Sequence, residues 1–193
     1  MQKRRDDILD TAERLFNEHG YNAVSLRDIA DVLQISKGNL TYHFQKKEDL
    51  IEACVVRNHE NYKKPAVPQT LEELNAFFAM LIRGKEARPY YFQNYIQLAQ
   101  VCPRVYDIQR SVVEDFADVI VCAMQKLTQD GVLREDCVDE YAGIAQCILS
   151  VITYGVAPSG DQTADAQLSC IQSVLQPCLT EQGRAAYNGS AGI

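Results

Sequence analysis

Apolar residues recur along this chain at the three-and-four spacing of amphipathic helices, and glycine, proline and capping residues punctuate the runs. Ile8, Ala12, Leu15, Phe16 and His19 fall on one side of a helix over residues 2–19, and Gly20 is placed to end it in the left-handed conformation. Ser25 stands three residues before Asp28, a capping-box spacing, and Leu26, Ile29, Ala30 and Leu33 carry the stripe of a short second helix. After a break at Gln34 and Ile35, Ser36 caps a third helix over 37–43. A fourth is predicted over 47–64, with Leu50, Ile51, Cys54 and Val55 facing inward.

Pro65 and Pro68 cannot continue that helix and mark a linker. Thr70 and Glu73 repeat the capping box ahead of Leu74, Phe77, Phe78 and Leu81. Pro89 suits a first helical turn, and Tyr91, Tyr95, Leu98 and Cys102 share a face as far as Pro103. A long helix then runs to Gln129, ended by Asp130 and Gly131. Another spans from Asp136 or Asp139 to Tyr154, a loop covers 155–160, and a last long helix covers 165–179. No strand alternation and no Asn-Gly hairpin signal is evident. The pattern predicts an all-α chain of eight to ten helices. The small-residue segment after Gln182 is expected to fray.

The chain has 193 residues, 47% hydrophobic and 23% charged, enough to bury a core. Its unbroken apolar runs, such as Val119–Met124, fall far short of the ~18 residues a membrane span needs. The opening Met-Gln-Lys-Arg-Arg-Asp-Asp has no apolar core, so no secretory signal and no membrane partner is expected. Residues 1–64 hold 11 basic and 11 acidic side chains, while the net charge of −7 comes from residues 65–193. An acidic chain does not coat polyanions, but the neutral N-terminal third leaves room for a local basic patch. The seven cysteines are odd in number and show no CxxC or zinc-finger spacing, so reduced core thiols in a cytoplasmic protein, with no metal, are expected.

Enzyme motifs are absent. A P-loop ending at Gly84-Lys85 would need Gly at 79 and Ser or Thr at 86, where the chain has Ala79 and Glu86. Ser159 lacks the preceding Gly of a nucleophile elbow, since position 157 is Ala. His19, His43 and His59 are scattered, and no dinucleotide fingerprint follows a strand. No catalysis and no cofactor is expected.

The segment 25–44 carries the chemistry. Two short helices about three residues apart have helix-turn-helix geometry, in which the second helix enters the major groove. Leu40 points inward and Phe44 closes the end, which leaves Lys37, Gly38, Asn39, Thr41, Tyr42 and His43 to face out. Lys donates to guanine, Asn pairs with adenine, and a Thr methyl meets a thymine methyl. Gly38 permits close approach, and Ser25, Tyr42, His43, Lys46 and Lys47 suit phosphates. The same spacing fits an ordinary solvated helix pair, or a module binding an acidic partner protein.

Residues 8–55 resemble the N-terminal domain of TetR-family transcriptional regulators. The likeness lies in Ala12-Glu-Arg-Leu-Phe16, in Gly20-Tyr-Asn-Ala-Val-Ser-Leu-Arg-Asp-Ile-Ala30, and in Ser36-Lys-Gly-Asn-Leu-Thr-Tyr-His-Phe44 with the following Gln-Lys-Lys-Glu-Asp-Leu50. The resemblance implies a three-helix helix-turn-helix domain over 1–47, a connecting helix and proline linker over 48–69, and a helical ligand-binding and dimerisation domain over 70–182. By position it makes Arg27, Lys37, Asn39 and Thr41 base readers, and Ser25, Tyr42, His43 and Lys47 phosphate contacts. Thr41 stands where many members carry a bulky Tyr, so the operator sequence does not carry over.

The resemblance also implies a homodimer on pseudo-palindromic double-stranded operator DNA, most often a repressor released by a small apolar or aromatic effector. A dimer without an effector is the alternative. Effector candidates are Phe78, Tyr91, Tyr95, Leu98, Tyr106, Ser111, Asp115, Phe116, Gln146 and Ser150, which equally suit a packed core. Dimer candidates are Cys147, Val151 and Tyr154 on one helix, and Ile171, Val174, Leu175 and Cys178 on the next. Those stripes also suit packing within one protomer.

Overall fold

The computed structural model describes residues 2–155 and 163–190. In chain order the α-helices are α1 (Gln2–His19), α2 (Leu26–Val32), α3 (Lys37–His43), α4 (Lys47–His59), α5 (Leu71–Glu86) and α6 (Pro89–Gln93). They continue with α7 (Tyr95–Val101), α8 (Pro103–Gln129), α9 (Tyr141–Tyr154), α10 (Ala164–Leu175) and α11 (Glu181–Ser190). Short 3₁₀ turns cover Glu135–Glu140 and Gln176–Cys178. Among the described residues the only β-type pairing is an isolated bridge between Leu133 and Leu179.

The first three helices begin and end within about a residue of expectation, because each carries a local stop or start signal. His19, the last position of the predicted stripe, is exposed. α4 ends at His59 rather than near Lys64; Pro65 bars the helical conformation at the residue before it, and the chain has already left the helix. The single helix expected after Pro89 is two. Asn94 takes a non-helical backbone, and its side-chain amide donates to the Tyr90 carbonyl at 2.7 Å, replacing a helical bond. Gly155 ends α9 in the left-handed region at φ 65°; the rest of the expected loop, 156–160, lies outside the described residues.

Of the segment after Gln182, residues 183–190 lie in α11, and 191–193 lie outside the described residues. Thr180 caps α11: its hydroxyl accepts the Gly183 N–H at 3.0 Å and donates to the Gly131 carbonyl at 2.7 Å, while its own N–H reaches the Val132 carbonyl at 3.1 Å. Gly183 is buried, and a Cβ there would overlap the Val132 carbonyl oxygen.

The helices group into two compact units. The first holds residues 1–63 and 88–111. Its core joins Ile8, Leu9, Ala12 and Phe16 of α1 to Ile29, Leu40, Leu50, Ile51 and Cys54, and to Tyr90, Leu98 and Val105. α4, expected as a connector, therefore buries its apolar side within this unit, and 88–111, expected with the second domain, cluster here too. The second unit holds 64–87 and residues from 112 onward, with Leu74, Phe78, Ile120, Met124, Tyr141, Ile148 and Ile171 at its centre. All seven cysteines are unpaired; Cys54, Cys102, Cys137 and Cys178 are buried, and Cys122 and Cys147 are exposed.

Gly183→Ala should lower stability by about 1–3 kcal/mol, since rigid backbone occupies the space a methyl needs. A thermal melt no lower than wild type would contradict this packing of α11.

Candidate nucleic-acid interface

Ser25 closes the N-terminus of α2 with a reciprocal capping box. Its hydroxyl oxygen accepts the Asp28 N–H at 3.3 Å. Its own N–H and O–H donate to one Asp28 carboxylate oxygen at 2.8 and 2.7 Å. Those two bonds hold the Asp28 carboxyl below its ordinary range. Between α2 and α3, Ile35 N–H reaches back to the Ala30 carbonyl at 3.0 Å, and Gln34 sits at φ 54°. That left-handed step in a non-glycine residue turns the chain sharply enough to start α3 shortly afterwards.

α3 is anchored on one side only. Ser36 caps it, accepting the Asn39 N–H at 3.1 Å; Leu40 is fully buried, and Phe44 is nearly so. The Arg5 guanidinium lies 5.3 Å over the Phe44 ring, a pairing with no signal in the local sequence. The opposite side is open. Lys37 and Gly38 are exposed, Asn39, Thr41 and His43 are half-buried, and Tyr42 is 74% exposed with its ring edge-on to His43. The Thr41 hydroxyl donates back to the Lys37 and Gly38 carbonyls at 3.0 and 3.2 Å, which leaves its methyl and its oxygen's acceptor capacity for an outside partner. At Gly38 the nearest atom to a would-be Cβ is Ser36 Oγ at 4.0 Å. Nothing inside the protein requires glycine there.

Arg27 lies on α2 with its side chain largely in solvent, 3.8 Å from Asp31 one turn on. Lys46 is exposed, and its N–H donates to Asp49 at 3.0 Å to begin α4. Lys47 differs from the rest: its ammonium turns inward to the carbonyls of Tyr21 and Val24 at 2.7 and 2.8 Å. The structure thus brings Arg27, Lys37, Gly38, Asn39, Thr41, Tyr42, His43 and Lys46 to the surface of one small unit and holds Lys47 half-buried.

The effector candidates divide between the units. Tyr91, Tyr95, Leu98, Tyr106 and Ser111 belong to the first. There Tyr91 packs edge-on against Tyr95 at 5.7 Å, near a buried Gln109 that donates to the Tyr95 carbonyl. Burial pushes the Tyr91 phenol up to about 12. Phe78, Asp115, Phe116, Gln146 and Ser150 belong to the second. Phe78 is core, Asp115 pairs with Lys64 at 3.1 Å, and Ser150 lies exposed on α9 beside Gln146, whose carbonyl its hydroxyl reaches at 2.8 Å. Of the dimer candidates, Ile171, Leu175 and Cys178 are buried in their own protomer's core and are thereby unavailable to a partner surface. Cys147 and Tyr154 are exposed, and Val151 and Val174 are half-buried.

Residues 8–54 match the family model of bacterial regulatory proteins of the tetR family. The chain is 32% identical over 107 residues to IcaR of Staphylococcus epidermidis, the HTH-type negative transcriptional regulator of the biofilm operon icaADBC. That match spans 49% of this chain and about half of the relative, 53%. IcaR of Staphylococcus aureus is 28% identical over 147 residues, covering 65% of this chain and 74% of that one. Among solved structures, a TetR-family transcriptional regulator from Marinobacter aquaeolei VT8 aligns with TM-score 0.75 at 24% identity, over 94% of this chain and 93% of that one. A chain from Saccharomonospora viridis, solved in complex with choline, aligns with TM-score 0.66 at 18% identity, over 91% and 97%.

Ser25→Ala should destabilise the first unit by about 1 kcal/mol. The folded Asp28 carboxyl titrates below its unfolded value, so its contribution is present above the ordinary carboxylate range and is lost as pH falls through the folded value. Melting temperature measured against pH should therefore fall less steeply in acid for Ser25→Ala than for wild type; identical acid limbs would count against the capping box.

Proposed function

Because the chain belongs to the TetR family of DNA-binding transcriptional regulators, which are not enzymes, we propose that it is a homodimeric repressor. It binds a pseudo-palindromic operator and is released by a small molecule. The outward side of α3 carries the DNA half of this reading. Lys37, Gly38, Asn39, Thr41 and Tyr42 face away from the core that holds the helix. These residue types match base edges and phosphates, with Arg27 and Lys46 alongside.

The dimer half is supported by charge. α9 carries no Asp, Glu, Lys or Arg, and α10 carries only Asp165 in its first turn. Yet Ala142, Gly143, Gln146, Cys147, Ser150 and Tyr154 are exposed on α9. In a chain that is 23% charged, an outward helix face without charge suits a partner copy better than water. To meet successive major grooves, the two reading helices of a dimer need a separation of about 34–36 Å or a multiple of it.

The repressor sense follows IcaR, a negative regulator, and the small-molecule sense follows the Saccharomonospora viridis chain held with choline. An effector near the Tyr91 and Tyr95 rings would act only through unequal affinity for the DNA-competent and incompetent arrangements; equal affinity shifts nothing. Titration of the full chain onto the duplex upstream of its own gene, across a range of salt, tests the core of this reading. Binding should weaken steeply with salt, and no specific shift, or a flat salt response, would overturn it.

Two variants sharpen the test. Gly38→Ala should stabilise the free protein by about 0.5–1 kcal/mol, because alanine is the better helix former and the space is open. It should also weaken operator binding; equal or tighter binding would remove Gly38 from the interface. Ser150→Arg should shift the monomer–dimer equilibrium at least about tenfold toward monomer, since two charges would be buried across the α9 faces. Sedimentation velocity reads this directly, and an unchanged dimer would place the interface elsewhere.

A further inference from the structure

Lys47 stands in the basic run that begins α4, where sequence alone assigns it to a phosphate. Its surroundings point elsewhere. The ammonium donates to the carbonyls of Tyr21 and Val24 at 2.7 and 2.8 Å, and it lies 4.2 Å from the centroid of the Tyr21 ring. Both partners are buried, Tyr21 at 3% exposure and Val24 at 4%. Burial lowers the Lys47 ammonium's affinity for its proton, the mark of a charge withdrawn from water. An ammonium has three donors, so two carbonyls and a ring face consume most of its reach.

The bonds fall at a particular place. Tyr21 and Val24 bracket the turn between α1 and α2, and the next residue is Ser25, the cap of α2. The same turn is held from a second side, where Asn22 donates to the Asn94 side-chain carbonyl at 3.3 Å. It is held from below by the Tyr21 ring, edge-on to Phe16 at 5.4 Å. Of these ties, the one from Lys47 has the shortest hydrogen bonds and carries the charge.

We propose that Lys47 is a positioning residue for the DNA-reading motif: it ties the α1–α2 turn to α4, sets the start of α2, and makes no phosphate contact. This rests on the DNA-binding reading above. The two roles separate in salt dependence. Removing one cation from a phosphate makes the slope of log K against log salt shallower by about 0.9, whereas a misplaced motif binds more weakly with the slope unchanged.

The experiment uses the full chain, the duplex upstream of its own gene and a scrambled duplex of equal length, at a temperature where circular dichroism shows each variant folded. Lys47→Gln should weaken binding about tenfold at every salt concentration, with parallel lines, a smaller ratio of specific to scrambled affinity, and a lower melting temperature without DNA. Lys47→Arg keeps the charge but not the fit to two carbonyls, and should fall with Lys47→Gln. If Lys47→Gln does not fold, the Arg variant decides. A shallower slope for Lys47→Gln with its melting temperature unchanged, or an Arg variant that binds like wild type, would overturn the proposal. Wild type failing on both duplexes would instead sink the regulator reading.

Discussion

An isolated helix of seven residues does not persist in water, and α3 has seven. Its existence depends on being propped from one side. Leu40 and Phe44 are buried beneath it, and burying a side chain of that size contributes about 1.5–3 kcal/mol. Ser36 satisfies one of its free N–H groups, and the Ile35-to-Ala30 bond fixes the turn that delivers it. All of these ties come from one side and from below. The requirement that makes the helix stable also leaves its other side open, which suits it to meet a groove.

The prop extends beyond the motif. Glu13 of α1 is a hub: it accepts from Arg57 at 2.7 Å, from the Asn58 amide, and from the Tyr90 hydroxyl at 3.3 Å. Asp10 takes the other side of the Arg57 guanidinium at 2.7 Å. Burial, followed by the nearby Glu13 charge, raises the Tyr90 phenol well above its ordinary range, so it stays a neutral donor. Through Tyr90 and the Phe16 ring 5.7 Å away, α6 becomes part of the unit that contains the reading helix. α8 starts in that unit and continues into the other as one helix, Pro103–Gln129. The chain therefore crosses from one unit to the other after residues 63, 87 and 111.

Local signals make much of this legible in the sequence. The capping box at Ser25, the cap at Ser36, the stop at Gly20 and the start at Thr70 are interactions among neighbours along the chain, and the structure shows each of them. α11 escapes such reading although its cap, Thr180, is an ordinary N-cap type; the partners that secure it, Gly131 and Val132, lie about fifty positions upstream. The break at Asn94 escapes it because apolar periodicity continues straight through.

Periodicity and capping chemistry are short-range, and so the sequence alone determined most of the helices, their order, and the outward residue types of α3. Which side of a helix meets its own protein is long-range, and only the tertiary structure decided it. Ile171 and Leu175 look like a surface stripe until α5 and α9 pack against α10 and bury them. Lys47 looks like one more surface cation until the Tyr21 and Val24 carbonyls, twenty-six and twenty-three positions away, claim its ammonium. A charge is available to a distant partner only if nothing nearer satisfies it, and nearness in space is not written in spacing along the chain.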